Sequence, residues 1–111
     1  MSISTHVLDT SRGRPAAGIA VTLAIKTGDT WKDLARATTD ADGRVATFLP
    51  DRPPAAAGTY RLRFETASYF ATAGVTGFFP EVDVVFTLQG DGRCHIPLLL
   101  NPFGYSTYRG S

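Results

Sequence analysis

Apolar and polar side chains alternate with a period of two along much of the chain, and this pattern constrains the fold more than any other feature. Residues 19–25, 60–64 and 82–88 each place apolar side chains at every second position. Successive side chains of a strand point to opposite faces, so each segment predicts a β-strand with one face on a core. Residues 3–8 follow the same rule more weakly, and residues 94–100 are apolar on both faces.

Turn-forming residues separate these segments and leave little room for helices. Residues 40–43 combine carboxylates that mimic turns with a glycine that tolerates positive φ. Residues 51–58 form a Pro/Ala loop, and residues 90–92 are a hairpin candidate. Only residues 66–73 are predicted as a helix, which the glycine at position 74 should end. Short strands, frequent turns and almost no helix favour an all-β sandwich.

The segment 94–100 carries two further signals. Pro97 has no N–H for a ladder hydrogen bond, so the strand is expected to be an edge there or to carry a bulge. Because both faces are apolar, we expect the strand to be buried on both sides, either by the sandwich or by a second subunit.

The composition excludes several classes of function. A length of 111 residues is typical of a single domain. The chain has 43% hydrophobic and 19% charged residues, which is typical of a globular protein. A formal net charge of +1 is too small to hold nucleic acid or an anionic membrane. No apolar run approaches the ~20 residues of a membrane span, no secretory or peroxisomal signal is recognisable, and a single cysteine suits a reducing compartment. We therefore expect one cytoplasmic domain, residues 1–111.

The chain contains two histidines, His6 and His95, and strand alternation turns both away from their core-facing neighbours. Histidine titrates near neutral pH, so it can take up and return a proton during hydrolysis. A histidine on a strand is also often only an exposed or hydrogen-bonded structural residue. The pattern alone does not decide between these two roles.

Arg44 and Cys94 are the other candidates for chemistry. Arg44 directly follows the turn at 40–43, and its guanidinium offers a planar fork of donors to an imide oxygen or to developing negative charge, although a solvated turn arginine is the ordinary alternative. Cys94 precedes His95 in the strand, so the two side chains should lie on opposite faces, and we assign Cys94 to the core. Two histidines and one cysteine lack the compact spacing of a structural zinc site, and the turn lacks the terminal glutamate of a calcium loop.

The C-terminal residues 105–111 are polar, aromatic and glycine-bearing, although they follow an apolar strand. Chain ends usually fray, but a tail this rich in hydrogen-bonding groups can instead line a pocket. A solubilising edge strand is the simpler alternative.

Five segments of the chain carry a resemblance to a known family. They are His-Val-Leu-Asp at 6–9, Thr-Asp-Ala-Asp-Gly-Arg at 39–44, Tyr-Arg-Leu-Arg-Phe-Glu-Thr at 60–66, Phe-Phe-Pro-Glu-Val at 78–82 and the ending at 95–111. Together they resemble the 5-hydroxyisourate hydrolases, the transthyretin-like enzymes of urate breakdown. The terminal Tyr-Arg-Gly-Ser is the most specific of these signals, because the hormone-carrying transthyretins lack it.

The resemblance implies a fold, an assembly and a site. The fold would be a transthyretin-like (prealbumin-like) β-sandwich of two four-stranded sheets with one short helix, and the assembly a homotetramer, a dimer of dimers with active sites in the channel between dimers. The family's active-site positions fall on His6, Arg44, His95, Tyr108 and Ser111. By the same resemblance, His6, Arg44, His95 and Ser111 would be catalytic, and His6, Arg44, Tyr108 and Ser111 would bind the substrate.

The implied reaction is the hydrolysis of 5-hydroxyisourate to 2-oxo-4-hydroxy-4-carboxy-5-ureidoimidazoline, with no metal or organic cofactor. Two other functions remain open. A ligand carrier of the transthyretin type would use the same channel for binding alone, and the histidine pair and the Tyr-Arg-Gly-Ser ending argue against it. A structural or adhesive prealbumin-like module would share the generic strand spacing at 18–23, 39–43 and 58–62, but no linker or neighbouring module is recognisable.

Overall fold

The architecture is taken from a computed structural model that describes residues 3–48, 56–89 and 93–110. These residues form nine strands and one helix. In chain order they are β1 (Ile3–Asp9), β2 (Arg14–Pro15), β3 (Ala20–Thr27), β4 (Thr30–Thr38), β5 (Arg44–Val45), β6 (Gly58–Phe64), α1 (Thr66–Thr72), β7 (Val82–Leu88), β8 (Cys94–Asn101) and β9 (Gly104–Thr107).

The strands form two sheets. The first has the order β2-β1-β8-β9, with β5 also paired to β1, and the second has the order β4-β3-β6-β7. Strands β1 and β8 run parallel to each other, and the remaining pairs are antiparallel. The prediction of an all-β sandwich of two sheets with one short helix is confirmed, and the first sheet carries the two-residue strand β5 in addition to its four-strand path.

Alternating burial follows the predicted period. In β1 every odd position from Ile3 to Asp9 is buried and every even position is half-buried, and β6 alternates in the same way. The buried side chains from both sheets join in one core, whose largest fully buried members include Tyr60, Phe64, Leu62 and Leu98. The even positions of β1, which include His6, therefore lie on the face of the first sheet that points away from this core.

The helix α1 is fixed to the first sheet by one buried carboxylate. Tyr69 donates a hydrogen bond of 2.7 Å from its hydroxyl to Oδ2 of Asp9 at the end of β1. Ser11 donates from both its backbone N–H and its hydroxyl to the other carboxylate oxygen. After the helix, Gly74 adopts a φ of 73°, so the predicted glycine stop is confirmed.

The interruption expected at Pro97 lies on the side of β8 that faces β9. The ladder between these strands begins at Leu98 and Thr107, and the hydroxyl of Thr107 donates 2.6 Å to the carbonyl of Pro97. Further along, the chain returns to β8 through one isolated bridge between His95 and Gly110. Pro97 therefore occupies the gap in pairing that its missing N–H requires.

Two predicted loops fall wholly or partly outside the described residues. These are the hairpin turn at 90–92 and residues 51–55 of the Pro/Ala loop. In the part of the chain that the structure describes, no helix is long and apolar enough to cross a membrane.

Candidate active site

Strand pairing brings His6, Arg44 and His95 onto one face of the first sheet. His6 is the cross-strand partner of Arg44 in the antiparallel pair of β1 and β5, so the two side chains lie next to each other. His95 lies on β8, which runs beside β1 in the parallel register that pairs Ser4 with His95. His6 and His95 are half-buried, whereas Arg44 is exposed. Three residues far apart in the sequence thus lie on the same face of this sheet.

The turn at 40–43 places Arg44 beside β1. Oδ1 of Asp40 accepts hydrogen bonds from the backbone N–H groups of Asp42 and Arg44, as an Asx turn does. Gly43 has a φ of 74°, and its carbonyl accepts a 2.8 Å hydrogen bond from the N–H of Val7. The turn is therefore hydrogen-bonded to the strand that carries His6, so the backbone of Arg44 is held in place beside that strand.

The surroundings of His95 favour its neutral form. Burial makes the largest contribution to lowering the pKa of His95, and electrostatic interactions with His6 and Arg44 lower it further. A histidine whose pKa lies below its ordinary value is unprotonated at neutral pH, so His95 is available to accept a proton from water.

Two neighbours make hydrogen bonds with His95, one to its ring and one to its backbone. Oγ of Ser4 lies 2.8 Å from its Nδ1, and the backbone N–H of Gly110 donates a 2.8 Å hydrogen bond to the carbonyl of His95. Neither Ser4 nor Gly110 was predicted as a site residue on its own. The available signal was the outward-facing serine two positions before His6, but the parallel register that brings it to His95 cannot be derived from alternation.

The C-terminal tail lies beside His95. Residues 108 and 109 follow β9, and a cleft of about 480 Å³ opens between the tail and the ends of β7 and β8. His95 and Tyr108 both line this cleft, and Tyr108 is exposed. His6 and Arg44 are not among the residues that line this cleft, so the described residues do not bring all the predicted site residues into a single cleft. Ser111 lies outside the described residues, so the structure does not place its side chain.

Cys94 is buried in the core, as its position in the strand predicted. Burial raises the pKa of the Cys94 thiol, although the charge of Arg109 partly opposes this effect. The thiol is therefore protonated at neutral pH. Cys94 lines the same cleft as His95, but strand alternation directs its side chain to the buried face of β8 and that of His95 to the other face. Across residues 3–48, 56–89 and 93–110, no three His, Cys, Asp or Glu side chains are grouped so that they could hold a metal ion.

Known proteins match this chain over nearly its whole length. The family model described as the HIUase/Transthyretin family matches residues 3–110. The 5-hydroxyisourate hydrolase of Deinococcus radiodurans is 46% identical over 114 residues, which cover 98% of this chain and 95% of that protein.

Two solved structures show the same fold. The 5-hydroxyisourate hydrolase of Klebsiella pneumoniae superimposes with a TM-score of 0.88 and 40% identity, and the match covers 100% of both chains. Sea bream transthyretin in complex with thyroxine superimposes with a TM-score of 0.90 and 32% identity, covering 99% of this chain and 95% of that one. The fold is thus common to a hydrolase and a hormone-binding protein, and only the site residues can distinguish these functions.

Proposed function

The chain belongs to the HIUase/transthyretin family, and we propose that within it the protein is a hydrolase that opens the ring of 5-hydroxyisourate with His6, Arg44 and His95. The observation that carries this assignment of the site is the shared sheet face, where the His6–Arg44 pair lies next to a His95 whose pKa is lowered. The lowered pKa of His95 and the cation of Arg44 suit a hydrolysis in which a proton is moved and an oxyanion develops.

The proposed reaction breaks one carbon–nitrogen bond and consumes one water. The water oxygen attacks the carbonyl carbon of the ring amide while a histidine takes the water proton. The tetrahedral intermediate then collapses, the carbon–nitrogen bond breaks, and the proton passes to the departing ring nitrogen. The product is 2-oxo-4-hydroxy-4-carboxy-5-ureidoimidazoline, in which the former carbonyl carbon is a carboxyl group. We assign water activation and proton delivery to His6 and His95 jointly.

Arg44 is proposed to orient the substrate and to stabilise the oxyanion of the intermediate. The guanidinium carries a fixed charge and a planar set of donors, and its backbone is held by the Asp40 turn. Loss of one such donor typically costs about 3 kcal/mol of transition-state stabilisation. Tyr108 and Ser111 are proposed to position the purine and to order the histidines. The exposed Tyr108 beside His95 supports this role for Tyr108, while the role of Ser111 rests on the Tyr-Arg-Gly-Ser ending alone.

The assembly is proposed to be a homotetramer, a dimer of dimers. The two sheet paths end in β2 and β9 and in β4 and β7, and an unpaired edge such as that of β7 or β9 can join a second chain. Large aromatic side chains are exposed near these edges, with Phe78 exposed by 72% and Phe103 by 75%. Exposed apolar surface of this kind favours an interface. We further propose a cytoplasmic, single-domain protein over residues 1–111 that needs no metal or organic cofactor and binds neither nucleic acid nor membrane.

Single alanine variants test the proposed site. We expect His6→Ala, Arg44→Ala and His95→Ala each to lower the turnover of 5-hydroxyisourate by at least ~100-fold while the fold is retained. Arg36→Ala is the matched control for the loss of a cation, because Arg36 is also exposed on a strand and forms a surface ion pair with Glu65. A triple variant that keeps near-normal turnover would refute the site.

A non-catalytic ligand carrier is the second candidate, favoured by the close superposition on the thyroxine-bound transthyretin. The two functions differ in one measurement. A carrier would bind an aromatic ligand and leave the ultraviolet decay of freshly made 5-hydroxyisourate unchanged, whereas the hydrolase accelerates that decay.

A further inference from the structure

The imidazole of His95 has a neighbour beside each of the two ring atoms that are bonded to Cγ, namely Nδ1 and Cδ2. On one edge, Nδ1 lies 2.8 Å from Oγ of Ser4, which is its direct neighbour in the parallel ladder of β1 and β8. Both residues are half-buried, so this hydrogen bond is partly shielded from water. The partner of the ring in this hydrogen bond is a neutral hydroxyl.

On the other side of the ring, the backbone of Gly110 in the tail lies against Cδ2. Gly110 pairs with His95 in an isolated bridge, and a Cβ added to Gly110 would lie 2.5 Å from Cδ2 of His95. Only a residue without a side chain can approach the ring this closely. Nδ1 and Cδ2 are the two ring atoms bonded to Cγ, so both sides of the ring are restrained, and Nε2 remains at its far end on the side of the tail.

A hydroxyl is a suitable partner for a histidine that must both take and return a proton. It can donate to an unprotonated Nδ1 or accept from a protonated one, so the same contact survives either state of the ring. A carboxylate in this position would instead stabilise the imidazolium and hold the proton on the ring. The neutral hydroxyl therefore fixes the orientation of the ring without adding a negative charge beside it.

We propose that Ser4 is a positioning residue for the hydrolysis: its hydroxyl holds His95 through Nδ1 and so leaves Nε2 to exchange the proton with the reacting groups. This inference rests on the proposed function of the site. Ser4 contacts the ring and not the substrate, so it acts through His95. Its role is distinct from those of His6, Arg44 and the tail.

A matched pair of variants tests this proposal. Ser4→Thr keeps the hydroxyl and Ser4→Val replaces it with a methyl group of similar shape, and both β-branched residues suit a strand. We expect the threonine variant to keep kcat within about threefold of the original protein. We expect the valine variant to lose on the order of 10- to 100-fold in kcat with KM changed by less than about twofold, because a misoriented base affects the chemical step. Equal kcat values for the two variants would overturn the proposal.

A spectroscopic measurement reads the same contact without any substrate. The chain has two histidines, so the imidazole ¹⁵N spectrum contains two rings, and His6→Gln identifies the His95 signals. We expect Ser4→Val to move the Nδ1 resonance of His95 and Ser4→Thr to leave it near its original position. Unchanged His95 resonances in the valine variant would contradict the proposal even if its activity fell. If the unaltered protein does not hydrolyse 5-hydroxyisourate while the valine variant still moves this resonance, the proposed function fails and the Ser4 contact stands.

Discussion

Gly43 is the position where a single added methyl group should most disturb the site without touching a proposed catalytic side chain. Its φ is +74°, and a Cβ there would lie 2.4 Å from the carbonyl oxygen of Val7 and 3.0 Å from Cβ of Pro15. That carbonyl accepts a hydrogen bond from Ala16, and the N–H of Val7 donates to Gly43 itself. Gly43→Ala therefore strains the backbone and pushes the turn away from β1.

The structure supplies both the magnitude and the control. A left-handed alanine costs about 1–2 kcal/mol, and weakening two backbone hydrogen bonds at about 1 kcal/mol each brings the expected loss to about 3–4 kcal/mol. Gly28 has a φ of +65° and open space around its Cβ position. Gly28→Ala should therefore lose only the conformational contribution to the free energy of unfolding, about 1–2 kcal/mol. The difference of about 2 kcal/mol isolates the close approach to Val7.

The assay is urea unfolding of both variants at one protein concentration, since association would make the apparent stability depend on concentration. We also expect Gly43→Ala to lower kcat/KM more than Gly28→Ala does, because Arg44 is the next residue in the chain. Equal losses of unfolding free energy in the two variants would refute the reasoning from steric approach.

Three further predictions concern Asp9, which binds helix α1, the charge of Arg44 near His95, and the C-terminal tail. Burial raises the pKa of Asp9, but hydrogen bonds from Ser11, Tyr69 and two backbone N–H groups together lower it below 3.8. Asp9→Asn should therefore lower the free energy of unfolding by about 2 kcal/mol at pH 7, measured by urea unfolding. This difference from the unaltered protein should disappear as the pH falls through the lowered pKa of the native carboxyl, because the carboxylate is then protonated. A difference that stays constant with pH would contradict the assignment. Arg44→Gln should raise the pKa of His95 in an NMR titration, because a positive charge that disfavours the imidazolium is removed, and an unchanged pKa would show that Arg44 does not act on the ring. Deleting residues 108–111 should abolish hydrolysis and leave the β circular-dichroism spectrum intact, and persisting activity would make the tail merely structural.

Much of the fold follows from alternation, and the exceptions have physical causes. Strands β1, β3, β6 and β7 were predicted because one face of each meets the core, and β8 because both of its faces are apolar. Strand β4 was missed because it lies at a sheet edge, where its side chains are exposed or half-buried without a clear period and its pairing with β3 shifts register at Leu23 and Ala24. Strands β2 and β5 are two residues long and exist only through their pairing with β1.

The candidate site was predictable only in part. Alternation correctly turned His6 and His95 away from the core. The position of Arg44 after the turn made it a candidate, whereas Tyr108 was named only through the resemblance. The contact between Ser4 and His95 depends on the parallel register of β1 and β8, which a long connection leaves unspecified in the sequence. Likewise, nothing in the composition of the tail shows that Gly110 closes on the His95 ring.

The most direct test of the account is the decay of freshly made 5-hydroxyisourate, followed by ultraviolet absorbance in one cuvette before and after the protein is added. If the sheet face with two histidines and an arginine is a hydrolase site, the decay rate should rise at once and in proportion to protein concentration. A decay that continues at its spontaneous rate in the presence of folded protein would contradict the central claim.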